Sequence, residues 1–145
     1  MSQAEPLVIE RIINEPAARV WRALTDRDEL KQWLPFLKDF KLEVGHEVRF
    51  ELGKDPEHQY LHVSKLIEVV DGQKLTYGWR YEGYPGDSHV TFELFADGDK
   101  TKLKLTHRIL EPFPADNPDF APSGFKEGWT YTVDGLKDYV EKVKE

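Results

Sequence analysis

The sequence predicts an α+β fold, in which a long C-terminal helix covers one face of an antiparallel sheet. Three changes in the spacing of apolar residues support this prediction. Ala17, Val20 and Leu24 recur with the period of an α-helix. From Phe40 to Ile109 apolar and polar residues alternate, which is typical of strands with one buried face. Residues 123–143 return to the helical period and carry one apolar stripe.

The first element is predicted to be a strand, and a short helix follows it. Residues 7–13, LVIERII, are rich in β-branched side chains, as strands are. Asn14 or Glu15 would cap the helix, and Pro16 would lie just inside its start, where the missing N–H needs no partner.

A second short helix is predicted directly after the first. It would begin at Asp26, with Glu29 three residues later, as in a capping box. Pro35 would end it, because the residue before a proline disfavours the helical conformation. Two short helices after a single strand are an unusual start for a sheet protein.

The middle of the chain is predicted to be an antiparallel meander. Asp71 and Gly72 indicate a type I′ hairpin turn, which needs positive φ. The alternation slips near Leu66, which indicates a β-bulge. One face of these strands would be polar, so the other must be covered. The residues assigned to alternating strand positions are Val48, Phe50, Leu52, Leu61, Val63, Leu75, Tyr77, Trp79, Tyr81, Val90, Phe92, Leu94, Leu103, Leu105 and His107.

The C-terminal helix is predicted to be that cover. Gly128 and Gly135 lie inside it, where each glycine costs about 1 kcal/mol relative to alanine. Together with Gly124 they follow one margin of the apolar stripe. We therefore expect them to let another backbone come close, or to leave room beneath the helix. The stripe itself comprises Phe125, Trp129, Thr132, Leu136, Val140 and Val143.

Composition limits the classes of function. The 145 residues are predicted to form one domain, 1–145, and a chain of this size buries about 70% of its unfolded surface, enough for a core without metals. The absence of cysteine excludes disulfides, zinc–cysteine sites and thiol nucleophiles. The net charge of -7 opposes nucleic-acid binding. No stretch is typical of a signal peptide or a membrane span, so we expect a soluble, cytoplasmic protein.

Six short motifs follow one another along nearly the whole chain: EPAARVW, RDELKQW, VGHEVRFEL, LTYGW, TKLKLTH and GWTYTVDGL. In this order they resemble the homologues of the activator of heat-shock-protein-90 ATPase, within the START-like, or SRPBCC, superfamily. The chain departs from the family pattern where Glu15 replaces alanine, Arg27 proline and His46 glycine. Val133 also stands in place of a leucine. Each motif alone is weak, but six in the correct order indicate the fold.

This resemblance implies a helix-grip fold, in which a curved antiparallel sheet of about six to seven strands grips the C-terminal helix over a cavity. Members of the superfamily bind lipids, sterols, polyketides or other apolar molecules there, and some catalyse reactions. The family's namesake activates a chaperone, for which it needs a second domain ahead of this one. Few residues precede the first predicted strand here, so we do not expect chaperone activation.

Seven mostly aromatic residues are predicted to bind a ligand in that cavity. Pockets for small molecules are mostly apolar with a few polar groups, which Tyr81 and His107 would supply. The alternative is that the aromatic residues form an ordinary packed core. Trp33 and Trp129 are the strongest candidates, because a short helix, a loop and the long helix should meet around them. The full set is Trp33, Phe50, Trp79, Tyr81, His107, Phe125 and Trp129.

The sequence assigns no residue to catalysis and none to metal binding. His107 would orient a ligand or act as a general base, or else be a hydrogen-bonded core histidine. We favour the core histidine, because no partner carboxylate is identifiable. The sequence does not decide whether His62 lies on the inner face or on the solvent face of its strand. His58 and His62, four residues apart on a strand, would be ~13 Å apart, too far for one metal ion.

The proline-rich segment LEPFPADNPDFAP is predicted to be an irregular loop, either a lid or a packed crossover that carries Phe113 and Phe120 to the core. The sequence thus favours a carrier or sensor of a small apolar or amphipathic molecule, with no cofactor, no nucleic-acid partner and no stable membrane insertion. One alternative is a cyclase- or hydrolase-like enzyme that uses the same cavity. Another is a chaperone-interacting module, although no sequence feature supports a protein partner.

Overall fold

The computed structural model describes residues 6–34, 40–53, 57, 59–114, 117 and 122–142, which form six strands and three helices. The strands are β1 (Leu7–Ile13), β2 (Glu47–Gly53), β3 (Gln59–Val70), β4 (Lys74–Tyr81), β5 (Asp87–Asp97) and β6 (Lys100–Glu111). The helices are α1 (Ala17–Thr25), α2 (Arg27–Trp33) and α3 (Pro122–Lys142). All strand pairs are antiparallel, in the order β1-β6-β5-β4-β3-β2.

The curved sheet wraps around α3, which confirms the predicted helix-grip fold. Buried and more exposed residues alternate along most of β4, β5 and β6, so one face of each strand points inward. Val133, Leu136 and Val140 of α3 are fully buried against that face. In the described part of the chain, no helix is long and apolar enough to cross a membrane.

The two short helices begin slightly differently from the sequence prediction. Pro16 is the N-cap of α1 rather than a residue inside it, and the helix begins at Ala17 without a side-chain cap. Asp26 caps α2 as predicted, because its carboxylate accepts hydrogen bonds from the backbone N–H groups of Asp28 and Glu29. For α3, which begins at Pro122, the side chain of Ser123 lies outside the described residues.

A buried carboxylate joins all three helices. Glu29 of α2 is 9% exposed, and its two oxygens accept hydrogen bonds from Arg19 and Arg22 of α1, each at 2.7 Å. The hydroxyl of Tyr139 on α3 donates to the same carboxylate over 3.0 Å. The predicted capping box is therefore wrong for Glu29, whose side chain binds two guanidinium groups instead.

Two features of the hairpin between β3 and β4 were predicted, one of them correctly. The register of β3 against β4 shifts between Leu66 and Glu68, which confirms the bulge. In the turn that follows, φ is positive at Gly72 but not at Asp71. The turn is therefore not type I′, which needs positive φ at both central residues.

The interior glycines of α3 face open space, not the sheet. A Cβ built at Gly128 or Gly135 meets no atom of the described residues within 4 Å. The close approach of another backbone therefore does not explain these glycines among the described residues. Gly128 is exposed, so its missing side chain faces solvent rather than the space beneath the helix.

Replacing Gly128 with alanine is therefore expected to raise the free energy of unfolding by about 1 kcal/mol, because alanine has the higher helix propensity and meets no steric conflict. Urea unfolding measures the change. Gly86→Ala is the control: φ at Gly86 is +118°, and a Cβ there would overlap the ring of Phe113. That variant should lose stability. A destabilised Gly128→Ala variant would contradict the assignment of this position to open solvent.

Side chains of α3 also cover the exposed edge of β1. The ammonium group of Lys137 donates to the backbone carbonyl of Ile12 over 2.7 Å. The backbone N–H of Asn14, just after the strand, donates to the carboxylate of Glu141 over 2.8 Å. Backbone groups at this end of the edge strand are thus satisfied by the helix.

Candidate functional site

A small pocket lies between the inner face of the sheet and α3. The space in it that is open to the centre of a water-sized molecule is ≈ 20 Å³, which is room for about one water. Its wall consists of aromatic and aliphatic side chains and carries three hydroxyl groups, those of Ser64, Tyr77 and Thr132. The described residues that line it are Leu34, Ser64, Tyr77, Trp79, Phe92, Trp129 and Thr132.

Beside this pocket, seven aromatic rings form a closed circuit that joins the sheet to α3. Neighbouring ring centroids are 4.7 to 5.6 Å apart, within the range of favourable aromatic pairs. Because every ring contacts two others, the movement of any one ring disturbs its neighbours. In order, the circuit runs through Tyr81, His62, Trp79, Trp129, His107, Phe125 and Phe113.

His107 is held by hydrogen bonds at both ring nitrogens. The indole N–H of Trp129 donates to Nδ1 over 3.1 Å, and because an indole can only donate, Nδ1 carries no proton. The neutral ring therefore bears its proton on Nε2 and donates it to the hydroxyl of Ser88, 2.9 Å away. That hydroxyl in turn donates to the backbone carbonyl of Trp79 over 2.7 Å. Burial lowers the pKa of His107 to about 4, so the ring is neutral at pH 7.

His62 lies on the inner face of β3. The sequence alone did not decide between this face and the solvent face. It is 8% exposed and stacks on Phe50 with a centroid separation of 5.0 Å, and its Nδ1–H donates to the carbonyl of Tyr60 over 2.8 Å. Burial lowers its pKa, and the opposing effect of the hydrogen bonds to the backbone of Tyr60 and Phe50 is smaller. His62 is therefore a second buried, neutral histidine.

Ser64 and Ser88, two buried serines of the inner face, differ in how their hydroxyl groups are used. Ser64 is 2% exposed and lines the pocket, and its hydroxyl has no hydrogen-bond partner among the described residues. Ser88 is 0% exposed and its hydroxyl takes part in two hydrogen bonds. A buried polar group without a partner in a folded protein calls for an explanation, of which a bound molecule is one.

Replacing each of these two serines with alanine is expected to change the stability of the protein in opposite directions. Ser64→Ala is expected to raise the free energy of unfolding by about 1 kcal/mol, because it removes a buried hydroxyl that has no partner. Ser88→Ala is expected to lower it by about 2 kcal/mol, because His107 and the carbonyl of Trp79 both lose a hydrogen bond. Urea unfolding of the two variants measures both. Equal effects would show that the Ser64 hydroxyl is satisfied after all.

The structure brings six of the seven predicted ligand-binding residues together. Trp79 and Trp129 line the pocket. Tyr81, His107 and Phe125 belong to the aromatic circuit, and Phe50 packs on it through His62 and Trp79. Trp33 lies at the end of α2, where its indole N–H donates to the carbonyl of Ala23 over 2.8 Å. Its polar group thus joins α2 to α1.

Sequence reasoning missed five lining residues, Leu34, Ser64, Tyr77, Phe92 and Thr132. Tyr77 and Phe92 had been assigned to the same strand faces as other core residues, so the alternation itself contained their signal. Ser64 could have been found through Leu66, which lies two residues further along β3 and is 1% exposed. Thr132 was placed in the apolar stripe of the helix, but not in the site.

The proline-rich segment is only partly described. Phe113 is half-buried and lies between Tyr81 and Phe125, as a packed crossover requires. Phe120 lies outside the described residues, so the choice between lid and crossover stays a prediction. Among the described residues, no group of three or more histidine, aspartate and glutamate side chains is arranged to hold a metal ion, and His58 lies outside them.

Comparison with solved structures supports the fold. Mll3558 from Rhizobium loti superposes with a TM-score of 0.78 at 20% identity, over 96% of this chain and 99% of its own. MLL2253 from Mesorhizobium loti gives 0.73 at 26% identity, over 97% and 100%. DynU16, a protein of the dynemicin biosynthetic locus, gives 0.71 at 19% identity, over 96% of this chain and 48% of its own. No curated protein matches the chain significantly.

The amino-acid sequence itself identifies the family. The family model described as "Activator of Hsp90 ATPase homolog 1-like protein" matches residues 14–141, from the residue before Glu15 to the last turn of α3. This match covers most of the chain and includes all six motifs. The chain therefore belongs to the family of Activator of Hsp90 ATPase homolog 1-like proteins.

Proposed function

We propose that the protein binds a small apolar or amphipathic molecule between the sheet and α3. The observation that carries this proposal is the position and lining of the pocket. It lies at the interface between the helix and the sheet, and Tyr77, Trp79, Phe92 and Trp129 supply large apolar surfaces around it. Burying apolar surface of a ligand against such rings is favourable by roughly 25 cal/mol per Å².

The pocket holds about one water in the described conformation, so binding requires it to widen. Two residues that line the pocket can move aside to widen it. Leu34 is the residue after α2 and Thr132 lies on α3, and both are only partly buried. Their side chains can move without dismantling the strands beneath. The aromatic circuit would then shift with Trp129, which joins the helix to the pocket.

Among the described residues, His107 and Ser88 are not arranged as the base and the nucleophile of a hydrolase. A serine hydrolase needs a histidine that accepts the proton of the serine hydroxyl. Here His107 donates to Ser88, and the Ser88 hydroxyl is directed to the carbonyl of Trp79. Burial also holds the pKa of His107 near 4, so the ring is a weak base. Binding without chemistry is therefore the function that this geometry supports best.

Ligand binding is expected to quench or shift tryptophan fluorescence and to raise the melting temperature. Two of the four tryptophans, Trp79 and Trp129, line the pocket and should report directly. A ligand at 100 times its Kd should add about 2.7 kcal/mol to the free energy of unfolding. A panel of neutral aromatics, fatty acids and sterols, measured by both methods, would test this.

A matched pair of α3 variants controls the experiment. Thr132→Leu adds volume inside the pocket and should weaken binding. Tyr131→Leu changes the neighbouring residue, which is 83% exposed, and should leave binding unchanged. If no member of the panel alters either the fluorescence or the melting temperature of the unmodified protein, the binding proposal is wrong.

A further inference from the structure

The unpartnered hydroxyl of Ser64 indicates what kind of molecule fits this pocket. Ser64 lies in the middle of β3, opposite Val48 of β2 and Trp79 of β4. The indole N–H of Trp79 already donates to the hydroxyl of Tyr81 over 3.2 Å, so it is not directed to Ser64. The hydroxyl of Thr132, across the pocket, donates to the carbonyl of Gly128 over 3.0 Å. Ser64 therefore offers a fully buried hydroxyl in the described wall that no protein group uses.

Fold stability does not account for this hydroxyl. An unsatisfied buried hydroxyl costs roughly 1 to 3 kcal/mol, and alanine would avoid that cost without a change in shape. Two other buried hydroxyl groups of the inner face are used: Ser88 accepts from His107, and Thr101 donates to the carbonyl of Glu15 over 2.8 Å. A hydroxyl kept at such a cost in the wall of a pocket is explained by a ligand that binds it there.

The charge of the wall limits the ligand further. No charged residue is among the described residues that line the pocket. The nearby histidines are neutral, since burial lowers the pKa of both His62 and His107. A carboxylate or ammonium group of a ligand would be buried without a counter-ion, which is strongly unfavourable. The wall therefore favours a neutral molecule.

We propose that Ser64 selects the ligand, and that the ligand is a flat, neutral, mainly apolar molecule whose single hydroxyl or carbonyl group is hydrogen-bonded to the Ser64 hydroxyl. This inference rests on the proposed function. The aromatic rings at Tyr77, Trp79 and Trp129 favour a flat shape, because rings pack on one another edge to face or offset. Ser64 is thus a specificity-determining residue and not a catalytic one.

Three para-substituted toluenes test the proposal. p-Cresol and p-xylene are equal in size and carry a hydroxyl and a methyl group at the same position, and p-toluate carries the larger carboxylate there. Binding is measured from the NMR shift of the Trp129 indole N–H in the unmodified protein and in Ser64→Ala. We expect Ser64→Ala to weaken the binding of p-cresol about tenfold and to leave the binding of p-xylene unchanged, because only p-cresol loses a hydrogen bond. p-Toluate should not bind to either protein.

The outcomes separate this inference from the proposed function. If p-cresol and p-xylene both bind and Ser64→Ala changes neither, or changes both equally, Ser64 does not select the ligand although the pocket still binds one. Binding of p-toluate comparable to that of p-cresol would overturn the requirement for a neutral molecule. If none of the probes and no member of the larger panel binds, both the inference and the proposed function fail.

Discussion

Glu29→Gln is expected to lower the free energy of unfolding by about 3 kcal/mol, because it removes the buried negative charge to which the buried guanidinium group of Arg19 is hydrogen-bonded. The side chain of Arg19 is 8% exposed and that of Glu29 is 11% exposed, so solvent does little to replace the lost interaction. Arg22 is about half exposed and should contribute less. The measurement is urea unfolding at pH 7, followed by tryptophan fluorescence.

An exposed ion pair provides the control for this variant. Glu10 and Lys102 are 3.3 Å apart, but both side chains are more than 40% exposed. Glu10→Gln should therefore change the free energy of unfolding by about 0.5 kcal/mol or less. If Glu29→Gln costs as little as this control, the buried carboxylate does not hold the three helices together.

The stabilising effect of Glu29 should also depend on pH. Burial raises the pKa of its carboxyl group. The hydrogen bonds from Arg22, Arg19 and Tyr139 together lower this pKa by more than burial raises it, so it lies below the usual value. The folded state thus binds this proton more weakly than the unfolded state does. The contribution of Glu29 is present above the usual pKa of glutamate, about 4.3, and is lost as the pH falls through the folded pKa.

The protein is expected to lose about 3 kcal/mol of stability between pH 6.5 and pH 4 through His107 alone. Above pH 6.5 the ring is neutral in both states and contributes no pH dependence. Between pH 6.5 and about 4 the unfolded state takes up a proton that the folded state does not, because burial lowers the folded pKa to about 4. Each pH unit in this interval costs about 1.4 kcal/mol. His62, whose pKa is also lowered by burial, adds to the loss.

His107→Gln should flatten this pH dependence, since glutamine does not titrate and can still donate to Ser88. The free energy of unfolding of both proteins is measured in urea at several pH values between 7 and 4, and the slopes are compared. His62→Gln is the companion variant, because it removes the other buried imidazole of the aromatic circuit. An unchanged slope in His107→Gln would mean that this ring does not cause the acid sensitivity.

Local periodicity was enough to predict the sheet and its cover. Leu75, Tyr77 and Trp79 alternate with polar neighbours because one face of β4 packs inward, and the structure has them all buried. The terminal helix could be predicted for the same reason, since its apolar stripe is the face that packs on the sheet. Six of the seven proposed ligand-binding residues lie together because they occupy these predicted inner faces.

The contacts that define the site could not be predicted, because they join distant parts of the chain. His107 lies between Ser88 and Trp129, from another strand and from α3, and no local spacing specifies those hydrogen bonds. Glu29 has the spacing of a capping box, yet two arginines of α1 bind its carboxylate more strongly than a backbone N–H could. Ser64 is short and polar, so hydrophobic alternation does not mark it, although the buried Leu66 shares its face of β3.

The hydrogen bonds from α3 to the edge of β1 have a consequence for self-association. While the helix is docked, the carbonyl of Ile12 and the N–H of Asn14 are unavailable to the backbone of a second molecule. Detachment of the helix would release both groups together with the apolar side chains of the inner face, and an unpaired strand of that kind templates aggregation. The same helix that covers the pocket therefore also protects the chain against polymerisation along this edge.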